Sequence, residues 1–170
     1  MKKSRLFASV LVLFCTVSHG ANYPIDIKSR GPQQTNVPKG VSIWSTCLKS
    51  PYTKIVDGIT VPIVIQNHGS EKFVIKRGRI AATTNLGNRL SYSVPTVKVT
   101  HDNQFQWTEK DSVDLFPQDL VEMDAYFGWG KPFWQDSPIA GASSIQLEFS
   151  VLTGENGKAY QWRIDCDLLW

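Results

Sequence analysis

From Val41 onward, apolar and polar residues alternate with a period of two, the pattern of half-buried strands rather than of helices. Ile59, Val61, Ile63 and Ile65 alternate with Thr60, Pro62, Val64 and Gln66. Pro62 has no backbone donor, so this strand is expected at a sheet edge or with a bulge. Asn67-His68-Gly69-Ser70 predicts a turn, and residues 73–80 return from it. Residues 90–100 form a further strand candidate, broken near Pro95. Phe105 and Trp107 share one face of a short strand, as do Val113 and Leu115 of the next.

The alternation is cleanest in the last third. Val121, Met123, Ala125, Phe127 and Trp129 face one way, and Glu122, Asp124 and Tyr126 the other. Ile145, Leu147, Phe149 and Val151 oppose Gln146, Glu148 and Ser150. Tyr160, Trp162, Ile164, Cys166 and Leu168 oppose Gln161, Arg163, Asp165 and Asp167. Between these last two runs stands Gly154-Glu155-Asn156-Gly157, whose Asn-Gly step predicts a hairpin.

Strands with one dry and one wet face belong to antiparallel sheets. Many short strands joined by Gly, Pro and Asn turns predict an all-β fold, a two-sheet antiparallel β-sandwich of immunoglobulin-like architecture. The antibody pattern itself is absent, because Trp44 precedes Cys47, and Cys47 and Cys166 lie too far apart. The sandwich is expected over residues 41–170. Before it, residues 21–40 carry Pro24, Pro32 and Pro38 and read as an extended N-terminal arm.

Residues 1–20 have the three parts of a secretory signal peptide: Lys2, Lys3 and Arg5, an apolar run from Leu6 to Val17, and small residues at Ser18 and Gly20. The expected product begins at Ala21 and is exported, periplasmic or extracellular. The Lys-Lys start and the lack of any Asn-x-Ser/Thr sequon fit bacterial export. Removing this segment changes the charge. The whole chain has 18 Lys and Arg against 15 Asp and Glu, a net +3, and the surplus is Lys2, Lys3 and Arg5. A charge-balanced product excludes nucleic acid as a partner, since no surplus cation remains to displace counterions from phosphate. The cluster Lys72, Lys76, Arg77 and Arg79 reads as a solvated hairpin edge. Cys15 falls inside the signal, leaving Cys47 and Cys166 as an even pair in an oxidising compartment, expected to form one disulfide.

Catalytic and metal patterns are sparse. His68 and His101 lie in different turns and, with Asp102, read as surface residues, so no metal site is expected. No nucleophile elbow, phosphate-binding glycine loop or cofactor motif occurs, and no cofactor is expected. Glu122 with Asp124, and Asp165 with Asp167, each place two carboxylates on one strand face, about 7 Å apart by the strand rise. That spacing suits a hydrolase, but it is also what a wet sheet face produces.

The strongest functional signal is the run from Tyr126 to Pro138, which leaves a strand and enters a Gly/Pro-rich loop with Trp129, Lys131, Phe133 and Trp134. Rings on a loop either fold back as a lid or form a platform for a ligand. Trp170 is a second exposed-aromatic candidate. These features predict a non-enzymatic binding module, in an inhibitor, immunity or surface-attachment role. It would recognise a protein or glycan through the aromatic loop. A membrane-acting or lipid-binding β-sandwich with peripheral membrane contact is the alternative, and a glycan hydrolase using the strand carboxylates is a weaker one. Oligomeric state is not legible in the pattern.

Overall fold

The computed structural model describes residues 26–49, 58–128 and 138–169. The signal segment, the candidate residues Trp129, Lys131, Phe133 and Trp134, and Trp170 lie outside the described residues.

Thirteen strands are present among the described residues: β1 (Asp26–Asn36), β2 (Val41–Ser45), β3 (Leu48–Lys49), β4 (Gly58–Asn67), β5 (Phe73–Lys76), β6 (Ile80–Thr84), β7 (Ser91–Ser93), β8 (Val97–His101), β9 (Gln104–Thr108), β10 (Ser112–Leu115), β11 (Leu120–Gly128), β12 (Ser144–Gly154) and β13 (Ala159–Leu169). They form two antiparallel sheets around one apolar core, the all-β sandwich that the alternation predicts. Sheet I runs β1-β13-β12-β5-β10, with β6 also on β12. Sheet II runs β2-β4-β11-β8-β9, with β3 also on β4 and β7 on β11. Part of the stretch read as an arm, residues 26–36, is β1, paired with β13 through two register shifts, one at Gly31-Pro32 and one at Thr35.

The inward positions of both sheets meet in the middle. Ile59, Ile63, Ile65 and Phe127 of sheet II face Ile75, Phe149, Trp162 and Ile164 of sheet I, all essentially without solvent contact. Phe149 and Trp162 stack with centroids 5.2 Å apart and planes 11° from parallel. Each such side chain contributes about 1.5–3 kcal/mol by leaving water. The Asn-Gly step turns as expected, with Gly157 at φ 77° between β12 and β13.

Cys47 lies between β2 and β3 of sheet II, Cys166 lies on β13 of sheet I, and the two are bonded, with Cα atoms 6.0 Å apart. The bond therefore joins the sheets as well as closing a separation of 119 residues. On the chain-entropy model a loop of this length is worth about 4–5 kcal/mol. A stable bridge of this kind fits a protein that works outside the reducing cytoplasm.

Three local expectations need correction. The strand holding Pro62 is internal: β4 has β11 on one side and β2 and β3 on the other. The ladder with β2 and β3 stops at Thr46 and Cys47, so the gap in pairing sits beside a residue that has no N–H to give. The turn at 67–70 does not close a hairpin, because β4 belongs to sheet II and β5 to sheet I. Buried Asn67 holds this crossing, its side chain donating to Glu71 O at 2.7 Å and accepting from Gly69 N at 3.0 Å. Nor is the basic cluster simply solvated. Arg77 donates to the carbonyls of Val94 and Pro95 at 2.9 and 2.6 Å and pairs with Asp111 at 3.0 Å, while Lys72 pairs with Asp114 at 2.9 Å.

Candidate ligand-binding face

The outer face of sheet II carries a row of side chains across five strands. Trp44 stands opposite Val64, Val64 opposite Glu122, Glu122 opposite Lys98, and Lys98 opposite Trp107. At about 4.8 Å per strand the two tryptophans begin roughly 19 Å apart. The neighbouring row is Ser42, Gln66, Leu120, Thr100 and Phe105. Trp44, Phe105 and Trp107 are 53%, 64% and 58% exposed. Between the tryptophans lies an open trough of about 490 Å³ lined by Pro62, Val64, Lys98, Glu122, Asp124 and Tyr126.

Local sequence explains why the rings point outward. On β2 the inward positions Val41, Ile43 and Ser45 leave Ser42 and Trp44 on the other face. On β9 the two-residue turn Asp102-Asn103 decides the matter. Both residues have positive φ, 47° and 62°, as a type I′ hairpin requires. The turn sets His101 opposite Gln104, so inward Val97 and Val99 of β8 fall opposite Thr108 and Gln106. Phe105 and Trp107 are thereby committed to the outside.

Two of the charged groups on this face hold each other in place. Lys98 forms an ion pair with Glu122 and lies 5.3 Å from the centre of the Phe105 ring. Asp124 is exposed beside Pro62 and, among the described residues, has no ion-pair or hydrogen-bond partner. The arrangement offers two flat apolar rings with a hydrogen-bonding centre between them, in which Lys98 offsets Glu122 and Asp124 adds one negative charge.

At one end of the face stands His101, on the surface as expected, but as the last residue of β8 and not in the turn itself. Its ring is also engaged. Its Nδ1–H donates to the carboxylate of Asp119, which is 1% exposed and also accepts from the N–H of Phe116 at 2.9 Å. Its Nε2 lies 3.2 Å from Asp102. The hydrogen bond to Asp119, then the charges of Asp119 and Asp102, raise the imidazole above its ordinary value of 6.5. This contact ties the β8–β9 hairpin to the loop before β11. His68 lies 2.8 Å from Ser42 Oγ and, among the described residues, has no carboxylate on its ring.

The carboxylate pairs are on outer faces as their spacing implies. Glu122 is paired with Lys98, Asp165 with Arg163 at 2.9 Å, and Asp167 with Arg30 at 2.7 Å. Among the described residues no three His, Cys, Asp or Glu side chains gather as a metal site. The aromatic loop begins at Trp129, one peptide bond beyond Gly128, which pairs with Gly58 and Ser91 at the end of sheet II. The chain is tight there: a Cβ on Gly58 would lie 2.4 Å from the Phe127 carbonyl oxygen.

Trp44 and Trp107 were not among the sequence candidates. A signal for Trp44 existed, since its parity on β2 opposes Ile43. For Trp107 the signal lay in Asp102-Asn103, two residues tolerant of positive φ between alternating runs.

No family model matches the sequence, and no curated protein matches it. Among solved structures, the chain is similar to the CBM3a-L domain with flanking linkers from scaffoldin cipA of the cellulosome of Clostridium thermocellum. The likeness covers 74% of this chain and 98% of that one, at 10% identity and a TM-score of 0.41. A likeness so distant adds nothing to what the strands themselves show.

Proposed function

We propose that this chain is an exported, non-enzymatic binding module that holds a glycan across the outer face of sheet II. The observation that carries the reading is the row from Trp44 to Trp107, two exposed indoles at the ends of a trough with ionic side chains between them. Apolar faces of sugar rings stack on indoles, and hydroxyl groups find donors and acceptors in Lys98, Glu122 and Asp124. Pairing of Glu122, Asp165 and Asp167 with cations supports binding over hydrolysis. Export rests on the signal pattern of residues 1–20 and agrees with the disulfide. Trp129, Lys131, Phe133 and Trp134 are assigned to the same function, because their loop starts from the end of sheet II.

The test is capture of the protein on a panel of soluble and insoluble polysaccharides. Trp44→Ala and Trp107→Ala are each expected to weaken binding about tenfold or more, as truncated hot-spot aromatics do. Trp134→Ala is expected to abolish capture with a nearly unchanged melting temperature; a large fall in melting temperature would identify the loop as a lid instead. Capture of a protein partner by the same residues, or sedimentation with lipid vesicles, would replace the glycan reading.

A further inference from the structure

We propose that two copies of this chain pair antiparallel through β9, in a register centred on Gln106, so that sheet II runs unbroken from one copy into the other. The inference goes beyond the binding reading and does not depend on it.

The edges of the sandwich differ. In sheet I, β1 is broken by register shifts at Gly31-Pro32 and at Thr35, and four-residue β10 carries Asp114, paired with Lys72. In sheet II, β2 and β3 lie beside β1 of the other sheet. These are ordinary ways of blunting an edge. By contrast β9, Gln-Phe-Gln-Trp-Thr, has no charge, no proline, no glycine and no bulge, and Gln104 to Trp107 are all exposed. Among the described residues it pairs with β8 alone.

Backbone geometry selects the register. The two-residue turn makes His101 and Gln104 a hydrogen-bonded pair, and such pairs alternate along an antiparallel ladder. Gln104, Gln106 and Thr108 therefore direct their N–H and C=O groups to β8. Phe105 and Trp107 direct theirs to the free edge. In the Gln106-centred register Phe105 stands opposite Trp107 of the second copy, and Trp107 opposite its Phe105. Both pairs use only outward-pointing backbone groups, so every new hydrogen bond has a free donor and a free acceptor.

The side chains agree with this register. On the outer face, each Phe105 meets a Trp107, an aromatic cross-strand pair of the kind that stabilises sheets. On the other face Gln106 meets Gln106 across the two-fold axis. Two residues beyond the strand, Lys110 of each copy falls opposite Asp102 of the other, giving two symmetric opposite-charge pairs at the ends. The contact is isologous and closes as a dimer. The two trough rows then continue into one another through four adjacent rings. A single five-residue pair buries less than the about 1,200–2,000 Å² of a stable interface, so the association is reversible and depends on concentration.

Sedimentation of the intact, oxidised protein without added ligand tests this. The expected mass rises from one chain toward two with concentration. Gln106→Lys puts two ammonium groups face to face at the axis; it is expected to remain one chain at the same concentrations, with unchanged circular dichroism and melting temperature. Gln106→Cys is expected to form a reducible covalent dimer, because residues opposite each other at a non-hydrogen-bonded site have Cα atoms about 4.5 Å apart. Ala81→Cys, at the exposed position of β6 in sheet I, serves as the control and is expected not to cross-link. A single-chain mass at every concentration, or cross-linking of Gln106→Cys no greater than that of Ala81→Cys, would overturn the proposal. Glycan capture failing while the dimer forms would count against the binding reading alone.

Discussion

The two outer faces of the sandwich are built from the same alternation and end in opposite chemistry. On sheet I the outward row Arg30, Asp165, Gln146 and Thr83 is polar throughout. Three of its members are engaged by neighbours on the same face: Arg163 donates to Asp165 at 2.9 and 3.0 Å, Arg30 to Asp167 at 2.8 Å, and Gln146 to Glu148 at 2.7 Å. On sheet II a row of equal standing begins and ends in tryptophan. A polar face of self-satisfied side chains has little left to offer a ligand. A face that leaves large rings in water gains by covering them, at roughly 25 cal/mol per Å² of apolar surface. The contrast supports the proposed assignment of the binding face to sheet II.

Of the tests that set one sheet face against the other, the largest expected effect comes from breaking the trough at its centre. Val64→Arg places a bulky cation between the two indoles beside Lys98 and is expected to reduce glycan binding by about tenfold or more with the fold intact. Gln146→Arg, at the middle of the opposite face, is expected to leave binding unchanged. Equal losses from the two variants in a titration would erase the distinction between the faces.

A smaller effect is expected at the margin of the trough. Phe105→Ala removes the ring beneath Lys98 and is expected to weaken binding a few-fold, less than Trp107→Ala. Affinity measured for both variants at one ionic strength ranks them. Arg30→Ala and Arg163→Ala lie on the polar face, where exposed ion pairs contribute little. Both are expected to bind as wild type and to lower the melting temperature only slightly.

The smallest effect concerns pH, and it has opposite signs on the two sides. His101 is raised above 6.5 by Asp119, so its contribution to stability is present below that value and fades as pH rises through the elevated one. Asp167 is held below 3.8, chiefly by its hydrogen bond from Arg30, so its contribution is present above that value and is lost as pH falls through the lowered one. Melting curves of His101→Asn should therefore approach wild type in alkaline buffer, and those of Asp167→Asn should approach it in strong acid. The reverse order would contradict the assigned partners.

Much of the fold was legible because burial imposes parity. Residues 121–127, 145–149 and 160–168 show their inward positions in the chain itself, and the structure keeps every one of them inside or nearly so. Position within a sheet was not legible. Pro62 suggested an edge because its missing donor is a local property, while the neighbour that tolerates it, the break between β2 and β3, is set by the whole sheet. The outward face of β9 was hidden for a related reason. Its polar residues alternate as though they should be wet, but the hairpin turn fixes register before burial can choose. His101 looked free because Asp119 is eighteen positions away in sequence. The ligand-binding loop proposed from sequence follows β11 directly, and the exposed indoles of sheet II add a second set of candidate contacts.

The bond between Cys47 and Cys166 also dictates an order of events. Its halves are 119 residues apart, so in a chain delivered N-terminus first the earlier thiol waits until nearly the whole sandwich has emerged. Were residues 1–20 removed, as their signal pattern predicts, Cys15 would go with them, and scrambling within one molecule would have no alternative to choose. The remaining error is between molecules, Cys47 of one joined to Cys47 of another before maturation. Such species vanish on a reducing gel, whereas an association through backbone ladders survives reductant in solution.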